Sequence, residues 1–496
     1  MMAARFLAFS IGFLSLSLEI LWIRLSSFTN HSLPQSFAFV LVFYLGGIAL
    51  GAQAGRVLCD YSRNPWKICG LVLVFSGLFD CISPWIYALT YTRDSGGLII
   101  AISALLKAML FPVAHHLGTP EKNTAIGRSV SRVYVANILG ATFGPMVTGV
   151  VLLSFFTTQQ CFFICAGFTL LLALYCLQRE VRLLLTSLCA LSSMVCLLAI
   201  VALDGDKLLK IIVHKQGVVR RIIENQHGIV MTYQGGAGGD YVTGGNVYDG
   251  RTNLDPVLNS NKINRLTILS ALQDKPEHVL MIGLSIGTWL KIITTFPGVE
   301  RIDVVEINPG YLKAINDYPS QKSGLQDSRV HLYIADGRHW LKVHPSHRYD
   351  LIVMNTTFYW RNYASNLLSQ EFLQLMKQHM NPGAVLTYNT TFSPDVLKTA
   401  ASVFQNVYLY DNFIITADFD WRKRLRQPDA IKKLAALQLD GAPLYPRGST
   451  ATIKAHLSLP LLALEAVEAH YHAHGRTLEV ITDKNLITEY KYGLKP

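Results

Sequence analysis

Three segments in the second half of the chain have residue types and spacing suited to recognising a nucleoside. The first, Gly283-Leu284-Ser285-Ile286-Gly287, follows an apolar run, and its glycines let a ligand approach the backbone at the start of a helix. Glu306 ends the next apolar run about twenty residues later, where a carboxylate can accept hydrogen bonds from both ribose hydroxyls. Asp336 ends a third run, where a carboxylate can accept a hydrogen bond from the exocyclic amine of adenine. Together they predict an adenosyl-binding site formed by Gly283, Ser285, Ile286, Gly287, Glu306, Ile307, Asp336 and Gly337.

A second group of residues is expected close to the reacting atoms of such a ligand. Asn355 ends a fourth apolar run, and two aromatic residues follow it closely. An aromatic face attracts a sulfonium by a cation–π interaction worth about 0.5–2 kcal/mol, although the same rings equally fit a packing role. The catalytic candidates are Asn355, Tyr359, Trp360, Tyr248 and Asp249. Asp249 and the nearby Asp255 also fit a simpler role as turn caps.

These residues need a scaffold, and the alternation of apolar runs and helical segments from residue 262 onward predicts a doubly wound parallel sheet. In such Rossmann-like sheets, ligands bind beyond the carboxyl ends of the strands, where the strand order reverses. The expected strands are His278–Ile282, Arg301–Ile307, Val330–Ala335, Tyr349–Asn355, Ala384–Asn389 and about Val407–Thr416. The expected helices are about 262–273, 285–296, 309–317, 366–380 and 395–404. Two further strands are expected within 211–234.

The first half of the chain has the composition of a membrane domain. Hydrophobic residues make up 51% of the whole chain and charged residues only 16%. Residues 1–203 contain only 12 Lys and Arg and 6 Asp and Glu. Seven stretches are long and apolar enough to cross a bilayer: 4–27, 36–58, 67–91, 96–117, 131–156, 158–178 and 183–203. The charged residues expected to face protein or a water-filled cavity are Glu19, Arg24, Asp80 and Lys107. Glycines expected to allow close helix packing are Gly46, Gly47, Gly51, Gly140 and Gly144.

The loop charges and the expected ligand predict opposite sides of the membrane for the C-terminal domain. By the positive-inside rule, the basic loop residues place the N terminus in the cytosol; they are Arg56, Arg63, Lys67, Lys122, Arg128, Arg132, Arg179 and Arg182. Seven spans would then put the C-terminal domain outside, whereas adenosyl sulfonium compounds are cytosolic. We expect a multi-pass protein of the cell (inner) membrane whose C-terminal domain lies in the cytoplasm, against the loop charges. The oligomeric state, including a homo-oligomer, is left open.

The composition change after Asp204 predicts four parts: a transmembrane domain of about seven helices (1–205), a small β-element and approach segment (206–260), a Rossmann-like domain (261–420) and an accessory helical tail (421–496). The net charge of +11 does not indicate nucleic-acid binding, because no basic run is interleaved with aromatic residues. We also expect no metal, since His472 leaves the helix face that His470 and His474 share.

Several motifs resemble those of the bacterial membrane-fused spermidine-synthase-like proteins, a branch of the polyamine aminopropyltransferases, and the similarity covers most of the chain. In the first half they are Glu19-Ile20-Leu21-Trp22-Ile23-Arg24, Gly46-Gly47-Ile48-Ala49-Leu50-Gly51 and 134–141. In the second half they are 278–283, 304–307, Asp336-Gly337-Arg338, 365–372 and Thr482-Asp483. The resemblance implies a class I S-adenosylmethionine-dependent methyltransferase-like fold. It also implies that Glu306 holds the ribose, that Asp336 holds the adenine, and that methylthioadenosine leaves after an amine attacks the propyl carbon.

The chain departs from this family's pattern at two positions. Where the glycine turn of the family carries an Asp that holds the terminal amine, this chain has Ile286. Where the fourth strand of the family ends in an Asp that accepts the proton of the amine, this chain has Asn355, and an amide is not a base near neutral pH. Ordinary spermidine synthesis is therefore not expected, and loss of the carboxylate at Ile286 favours intact S-adenosylmethionine over its decarboxylated form.

The sequence leaves several reactions open, each with a small-molecule substrate. S-adenosylmethionine could cyclise through its own carboxylate, giving methylthioadenosine and homoserine lactone, a lyase reaction that an apolar site favours. An aminopropyl-type group could instead be transferred to an external amine. The alternatives are a methyltransferase or a non-catalytic sensor or transport module that binds S-adenosylmethionine.

Overall fold

A computed structural model describes residues 1–61, 64–90, 93–119, 126–179, 183–355, 358–485 and 488–492. Three basic residues used in the topology argument, Arg63, Lys122 and Arg182, lie outside the described residues. The chain divides into two compact units. The first comprises Met1–Val218 and Glu224–Gln226, and the second comprises Val219–Ile223 and His227–Pro496.

The first unit is helical. Among the described residues, six helices are long and apolar enough to cross a membrane: Met2–Thr29, Gln35–Tyr61, Pro65–Thr90, Ser95–Gly118, Ile126–Phe155 and Thr158–Leu177. The fourth comprises two helical pieces, Arg93–Ala108 and Leu110–Gly118. The fifth passes through a π-helical stretch at Val147–Leu152, and a short helix at Lys207–Val213 completes the unit. The seventh predicted stretch forms the helix Leu183–Ala202, in which the apolar segment Ala190–Ile200 is shorter than the other six. The number of membrane spans therefore stays a prediction.

Glycines allow close contact between two pairs of these helices. A β-carbon at Gly140 would collide with the carbonyl oxygen of Phe9, and one at Gly47 would collide with that of Ala101. Gly51 and Gly144 make equally close approaches to backbone oxygens. The packing role is confirmed for these four glycines. It is wrong for Gly46, because a β-carbon there would meet open space.

A charged pair lies fully inside the helical unit. Lys107 Nζ contacts Asp80 Oδ2 and donates to Ser76 Oγ at 2.9 Å. Ser103 Oγ donates to the other carboxylate oxygen of Asp80 at 3.1 Å. Both charged side chains are buried, at 1% and 0% exposure. The two charges thus compensate each other, as the cost of a lone buried charge requires.

Arg24 is hydrogen-bonded to the N-terminal end of the helix Thr158–Leu177. Its Nε donates to Thr158 Oγ1 at 2.9 Å, and its guanidinium lies 3.6 Å from Glu224 Oε2. The backbone nitrogen of Thr158 donates to the same oxygen of Glu224 at 2.9 Å. Arg24 therefore faces protein, as predicted.

The second unit begins with a small sheet of four strands in sequence order: β1 (Val219–Asn225), β2 (Gly228–Tyr233), β3 (Tyr241–Gly244) and β4 (Val247–Arg251). The antiparallel register of β2 and β3 places Tyr233 opposite Tyr241, and their rings stack with centroids 4.8 Å apart. The two predicted strands are confirmed as β1 and β2. The other two are short and glycine-rich, which weakens their sequence signal.

The main sheet of the second unit has eight strands in the order β14-β10-β11-β9-β8-β5-β6-β7. Its strands are β5 (His278–Ile282), β6 (Arg301–Glu306), β7 (Val330–Ile334), β8 (Tyr349–Met354), β9 (Met380–Asn389), β10 (Asn406–Tyr410), β11 (Phe413–Ala417) and β14 (Leu461–Leu462). From β5 to β9 all neighbours are parallel, and the chain returns to the other side of β5 after β7. The second unit therefore has the predicted Rossmann-like, methyltransferase-like fold, with its switch point beside β5.

One predicted strand is wrong in a specific way. The segment expected as a single strand at about Val407–Thr416 is a hairpin, in which β10 and β11 pair antiparallel. Asp411 and Asn412 form its turn with φ of +41° and +68°. Positive φ at both central residues is the geometry of a tight hairpin turn, and Asp and Asn tolerate it better than most residues.

The helices of the second unit cover both faces of the sheet. They are Asn264–Thr267, Leu269–Leu272, Thr288–Ile293, Gly310–Ile315, Pro319–Leu325, Gly337–Val343, Gln370–Gln378, Pro394–Ala401, Arg422–Leu425, Pro428–Ala435, Thr450–Leu457, Leu464–Ala473 and Thr488–Lys491. The five predicted helices are present but shorter, while Pro319–Leu325 and Gly337–Val343 were not predicted. Within the predicted tail, a small hairpin of β12 (Gln438–Leu439) and β13 (Ala442–Pro443) precedes β14, which extends the main sheet.

Candidate functional site

The glycine turn after β5 has the geometry that its residues predict. Gly283 and Gly287 adopt φ of +87° and +79°, and Ser285 between them adopts +50°. A β-carbon at Gly283 would lie 2.6 Å from the carbonyl oxygen of Asn355. Glycine is therefore required at position 283 both for its backbone conformation and for its contact with the end of β8.

Glu306, at the end of β6, holds this turn by hydrogen bonds to the backbone. Its carboxylate accepts hydrogen bonds from the backbone nitrogens of Leu284 at 2.7 Å and Asn308 at 2.8 Å. The side chain is only 4% exposed. Burial raises the pKa of Glu306, and the backbone hydrogen bonds oppose that rise. Glu306 thus fixes the shape of the turn, and its remaining lone pairs are the ones that a ribose would use.

A pocket opens beyond the carboxyl ends of β5 and β8, at the switch point. It brings together five predicted site residues: Tyr248, Asp249, Ser285, Ile286 and Asn355. The other lining residues are Gly250, Asn261, Lys262, Arg265, Leu284, Thr288, Trp289, Phe358, Asn389, Thr391, Phe392 and Asn412. Strand ends and a glycine turn thus meet around one cleft, as the sequence predicts.

Asp249 contributes the one carboxylate to the described lining of this pocket. Its Oδ2 accepts a short hydrogen bond from the hydroxyl of Tyr311, and its Oδ1 lies 3.8 Å from Arg361. Burial raises the pKa of Asp249, while Arg361 and Tyr311 act to lower it. Ser285 Oγ donates to the backbone oxygen of Asp249 at 3.0 Å, which ties β4 to the glycine turn. The turn-cap role belongs instead to Asp255, whose Oδ1 accepts from a backbone nitrogen at 2.7 Å.

Six of the predicted binding residues lie outside the pocket lining, namely Gly283, Gly287, Glu306, Ile307, Asp336 and Gly337. Asp336 is exposed and caps the helix Gly337–Val343, accepting from the backbone nitrogen of His339 at 2.7 Å. Ile307 is 56% exposed. A β-carbon at Gly337 would approach Ile282, so this glycine serves the packing of helix on strand. The adenine contact assigned to Asp336 stays a prediction.

The aromatic residues after β8 divide into lining and supporting side chains. Tyr359 is fully buried with its ring 5.9 Å from that of Tyr492, and Trp360 is 9% exposed. Neither lines the pocket. Trp360 stacks on Phe358 at 5.3 Å, and Phe358 stacks on Phe392 at 5.7 Å. The aromatic residues in the described pocket lining are Tyr248, which was predicted, and Trp289, Phe358 and Phe392, which were not.

Sequence reasoning also missed the cationic side of the pocket. Lys262 and Arg265 both lie near one carboxylate of Asp411, at 3.6 and 3.5 Å. Burial lowers the pKa of Arg265, and Asp411 opposes this shift. The two cations come from the segment before β5 and the carboxylate from the turn between β10 and β11, so only the folded chain brings them together. Their spacing of three along the chain was the one available signal.

Three residues from separate family-like motifs meet in a structural network. Arg338 Nη1 donates to Asp483 Oδ1 at 2.7 Å, and Ser369 Oγ donates to the same oxygen at 2.6 Å. Ser369 is also the N-cap of the helix Gln370–Gln378. These residues fasten the C-terminal segment to the helices Gly337–Val343 and Gln370–Gln378.

Residues 264–411 match the family model described as spermine/spermidine synthase domain. A polyamine aminopropyltransferase of Thermoplasma acidophilum is 32% identical over 149 residues, covering 28% of this chain and 54% of the relative. One from Alkaliphilus oremlandii is 34% identical over 88 residues, covering 18% and 31%. The chain thus spans about a third to a half of the length of these curated relatives. A crystal structure of spermidine synthase with the transition-state analogue AdoDATO aligns with a TM-score of 0.40 at 17% identity, covering 49% of this chain and 86% of that one. The resemblance inferred from the sequence is confirmed for the C-terminal part of the chain.

Proposed function

We propose that the spermine/spermidine synthase domain in the C-terminal part of this chain binds S-adenosylmethionine, or its decarboxylated form, and cleaves the bond between sulfur and the γ-carbon. The products are methylthioadenosine and either an acceptor that has received the alkyl group or, without an acceptor, the cyclised alkyl group itself. The observation that carries this proposal is the pocket at the switch point, where the glycine turn held by Glu306 meets Asp249 and Asn355. The matched family and the names of the relatives support aminopropyl-type chemistry.

The nature of the nucleophile follows from the groups around the pocket. An alkylammonium must lose a proton before it can attack, and Asn355 cannot accept that proton. Asp249 accepts a hydrogen bond from Tyr311 and lies 3.8 Å from Arg361, and we assign it to substrate binding rather than to proton transfer. No other carboxylate and no histidine is found among the described lining residues. A nucleophile that is already an anion needs no base, which supports the carboxylate of S-adenosylmethionine itself.

In the cyclisation route a carboxylate oxygen forms a bond to the γ-carbon while the bond from that carbon to sulfur breaks. The electron pair of the broken bond stays on sulfur and neutralises the sulfonium, so no proton is transferred. The products are methylthioadenosine and homoserine lactone. Because the opposite charges of the reacting groups disappear, apolar neighbours such as Ile286, Trp289 and Phe358 favour the reaction.

Transfer to an external amine is the second route, and it rests on the names of the matching relatives. A polyamine acceptor carries two or more positive charges, and it would approach a pocket lined by Lys262 and Arg265. Like charges oppose its binding. The cationic side of the pocket therefore favours the intramolecular route.

The N-terminal unit is proposed to span the cell (inner) membrane and to keep the C-terminal unit in the cytoplasm, where S-adenosylmethionine is made. The six long apolar helices support the first part of this proposal. Fusion of a fluorescent protein or of alkaline phosphatase to the C terminus tests the second part. Fluorescence is expected, and phosphatase activity would contradict the cytoplasmic location.

Product analysis tests the proposed reaction. The full chain in detergent micelles is incubated with S-adenosylmethionine or its decarboxylated form, with and without putrescine or spermidine. Methylthioadenosine formed without added amine is expected, and homoserine lactone should accompany it in equal amount. S-adenosylhomocysteine would instead show methyl transfer, and binding without either nucleoside would show a non-catalytic module. Asp249→Asn should slow the reaction, whereas Asp317→Asn, at an exposed ion pair with Arg221, should not.

A further inference from the structure

One wall of the pocket is suited to an anion. Lys262 and Arg265 line it, and the single carboxylate of Asp411 lies near both. Two positive charges against one negative charge leave the wall net positive. Arg265 is held in place by packing, since its guanidinium lies 4.8 Å from the ring centre of Phe413. Its buried Nε is the atom nearest to Asp411 Oδ2, and at 3.5 Å that contact falls short of a well-formed hydrogen bond.

A second group in the same pocket is suited to a cation. Asp249 Oδ2 is bonded to Tyr311, but Oδ1 is 3.8 Å from Arg361, which is too long for a hydrogen bond. Oδ1 can therefore accept from an ammonium group. Position 286 in the adjacent turn offers only the apolar side chain of isoleucine, so Asp249 is the one negatively charged side chain in the described lining.

We infer that this pocket selects the zwitterionic end of intact S-adenosylmethionine, with Lys262 and Arg265 binding its α-carboxylate and Asp249 binding its α-ammonium. The inference rests on the proposed function and names the form of the substrate that the site takes. Decarboxylated S-adenosylmethionine keeps the ammonium but lacks the carboxylate that Lys262 and Arg265 would bind. Its extra net positive charge is also repelled there.

Four ligands separate these interactions. S-adenosylhomocysteine and methylthioadenosine are both uncharged at sulfur, but only the first has the amino-acid end. S-adenosylmethionine and its decarboxylated form are both sulfonium ions, but only the first has the carboxylate. Dissociation constants are measured by calorimetry on the full chain in detergent micelles. S-adenosylmethionine is expected to bind about tenfold or more tightly than its decarboxylated form, the size expected for one hydrogen-bonded charge.

Variants locate the effect. Lys262→Gln suits this purpose because the lysine side chain is 54% exposed, so the fold does not depend on it. This substitution should weaken the binding of S-adenosylhomocysteine about tenfold and leave the binding of methylthioadenosine unchanged. Arg265→Gln should act in the same direction, and its melting temperature reports whether it folds. Lys313→Gln, at an exposed lysine of the helix Gly310–Ile315, is the matched control and should change the binding of neither ligand.

Two results would overturn the inference. Equal or tighter binding of decarboxylated S-adenosylmethionine would show that the carboxylate is not recognised. An equal loss of affinity for S-adenosylhomocysteine and for methylthioadenosine in Lys262→Gln would show that the lysine acts on the adenosyl part. Both results leave the proposed adenosyl site standing. If none of the four ligands binds, the proposed function fails together with the inference.

Discussion

Replacement of Glu306 by glutamine tests whether this carboxylate holds the glycine turn. In the wild type it accepts two backbone hydrogen bonds, from Leu284 at 2.7 Å and from Asn308 at 2.8 Å. Glutamine has one acceptor oxygen, so one of these bonds is lost, and its NH₂ group then faces a backbone N–H donor. A hydrogen bond to a charged group stabilises a fold by about 1.5–3 kcal/mol, and an unpaired buried donor costs roughly 1–3 kcal/mol.

Part of this loss is offset in Glu306→Gln. Burial raises the pKa of Glu306, which means that the ionised side chain is itself costly in the fold, and glutamine removes that charge. We therefore expect a net loss of about 2–3 kcal/mol in the free energy of unfolding of the C-terminal unit. For a unit of this size that corresponds to a fall of about 5–10 °C in melting temperature.

Two separate measurements on the full chain in detergent micelles distinguish stability from function. Thermal denaturation gives the melting temperature, and a titration at 15 °C gives the dissociation constant of methylthioadenosine. The turn should be loosened in the variant, so binding should weaken about tenfold or more even where the protein is folded. Glu300→Gln, at an exposed carboxylate just before β6, is the matched control and should behave like the wild type. An unchanged melting temperature together with unchanged binding in Glu306→Gln would refute the reasoning.

Three further changes have defined expected outcomes. Asn355→Asp supplies a base at the end of β8, so putrescine-dependent product should rise at least about tenfold by chromatography, and no gain would argue against a missing base. Asp80→Asn leaves Lys107 buried without its counter-ion, at a cost of roughly 3–5 kcal/mol by thermal denaturation, and the double change Asp80→Leu with Lys107→Met should recover most of it. Asp483→Asn should lower the melting temperature by about 1–3 °C at pH 7, because Arg338 is left without its partner. Arg338 lowers the pKa of Asp483 below its ordinary value of 3.8. The difference in melting temperature between wild type and Asp483→Asn should therefore be constant above pH 3.8 and shrink as the pH falls through the lowered pKa. A difference that grew with acidity would contradict the ion pair.

The parallel strands could be predicted closely because each is a short buried apolar run that ends in a polar residue. β5 has the predicted bounds, and β6 and β8 each end one residue earlier than expected. The hairpin of β10 and β11 could not be separated from one long strand, since its turn is only Asp411 and Asn412 within an apolar stretch. The Asp-Asn dipeptide was the overlooked signal.

The candidate site was predictable only where its residues belong to strand ends. The glycine turn and Asn355 were found because each follows a recognisable strand, whereas Asp249 was found only as a member of the approach segment, since β4 was not predicted. Lys262, Phe392 and Asn412 were missed, because they reach the pocket through contacts between segments far apart in sequence. Hydrophobic periodicity carries no information about such contacts.

The steric fit at Gly283 restricts how this pocket can be remodelled. With the carbonyl oxygen of Asn355 only 2.6 Å from where a β-carbon would sit, position 283 tolerates no side chain. Laboratory evolution toward another alkyl donor would have to keep this glycine. Diversity should therefore accumulate at lining residues such as Thr391, Phe392 and Asn412, and libraries that vary position 283 should yield inactive or unfolded protein.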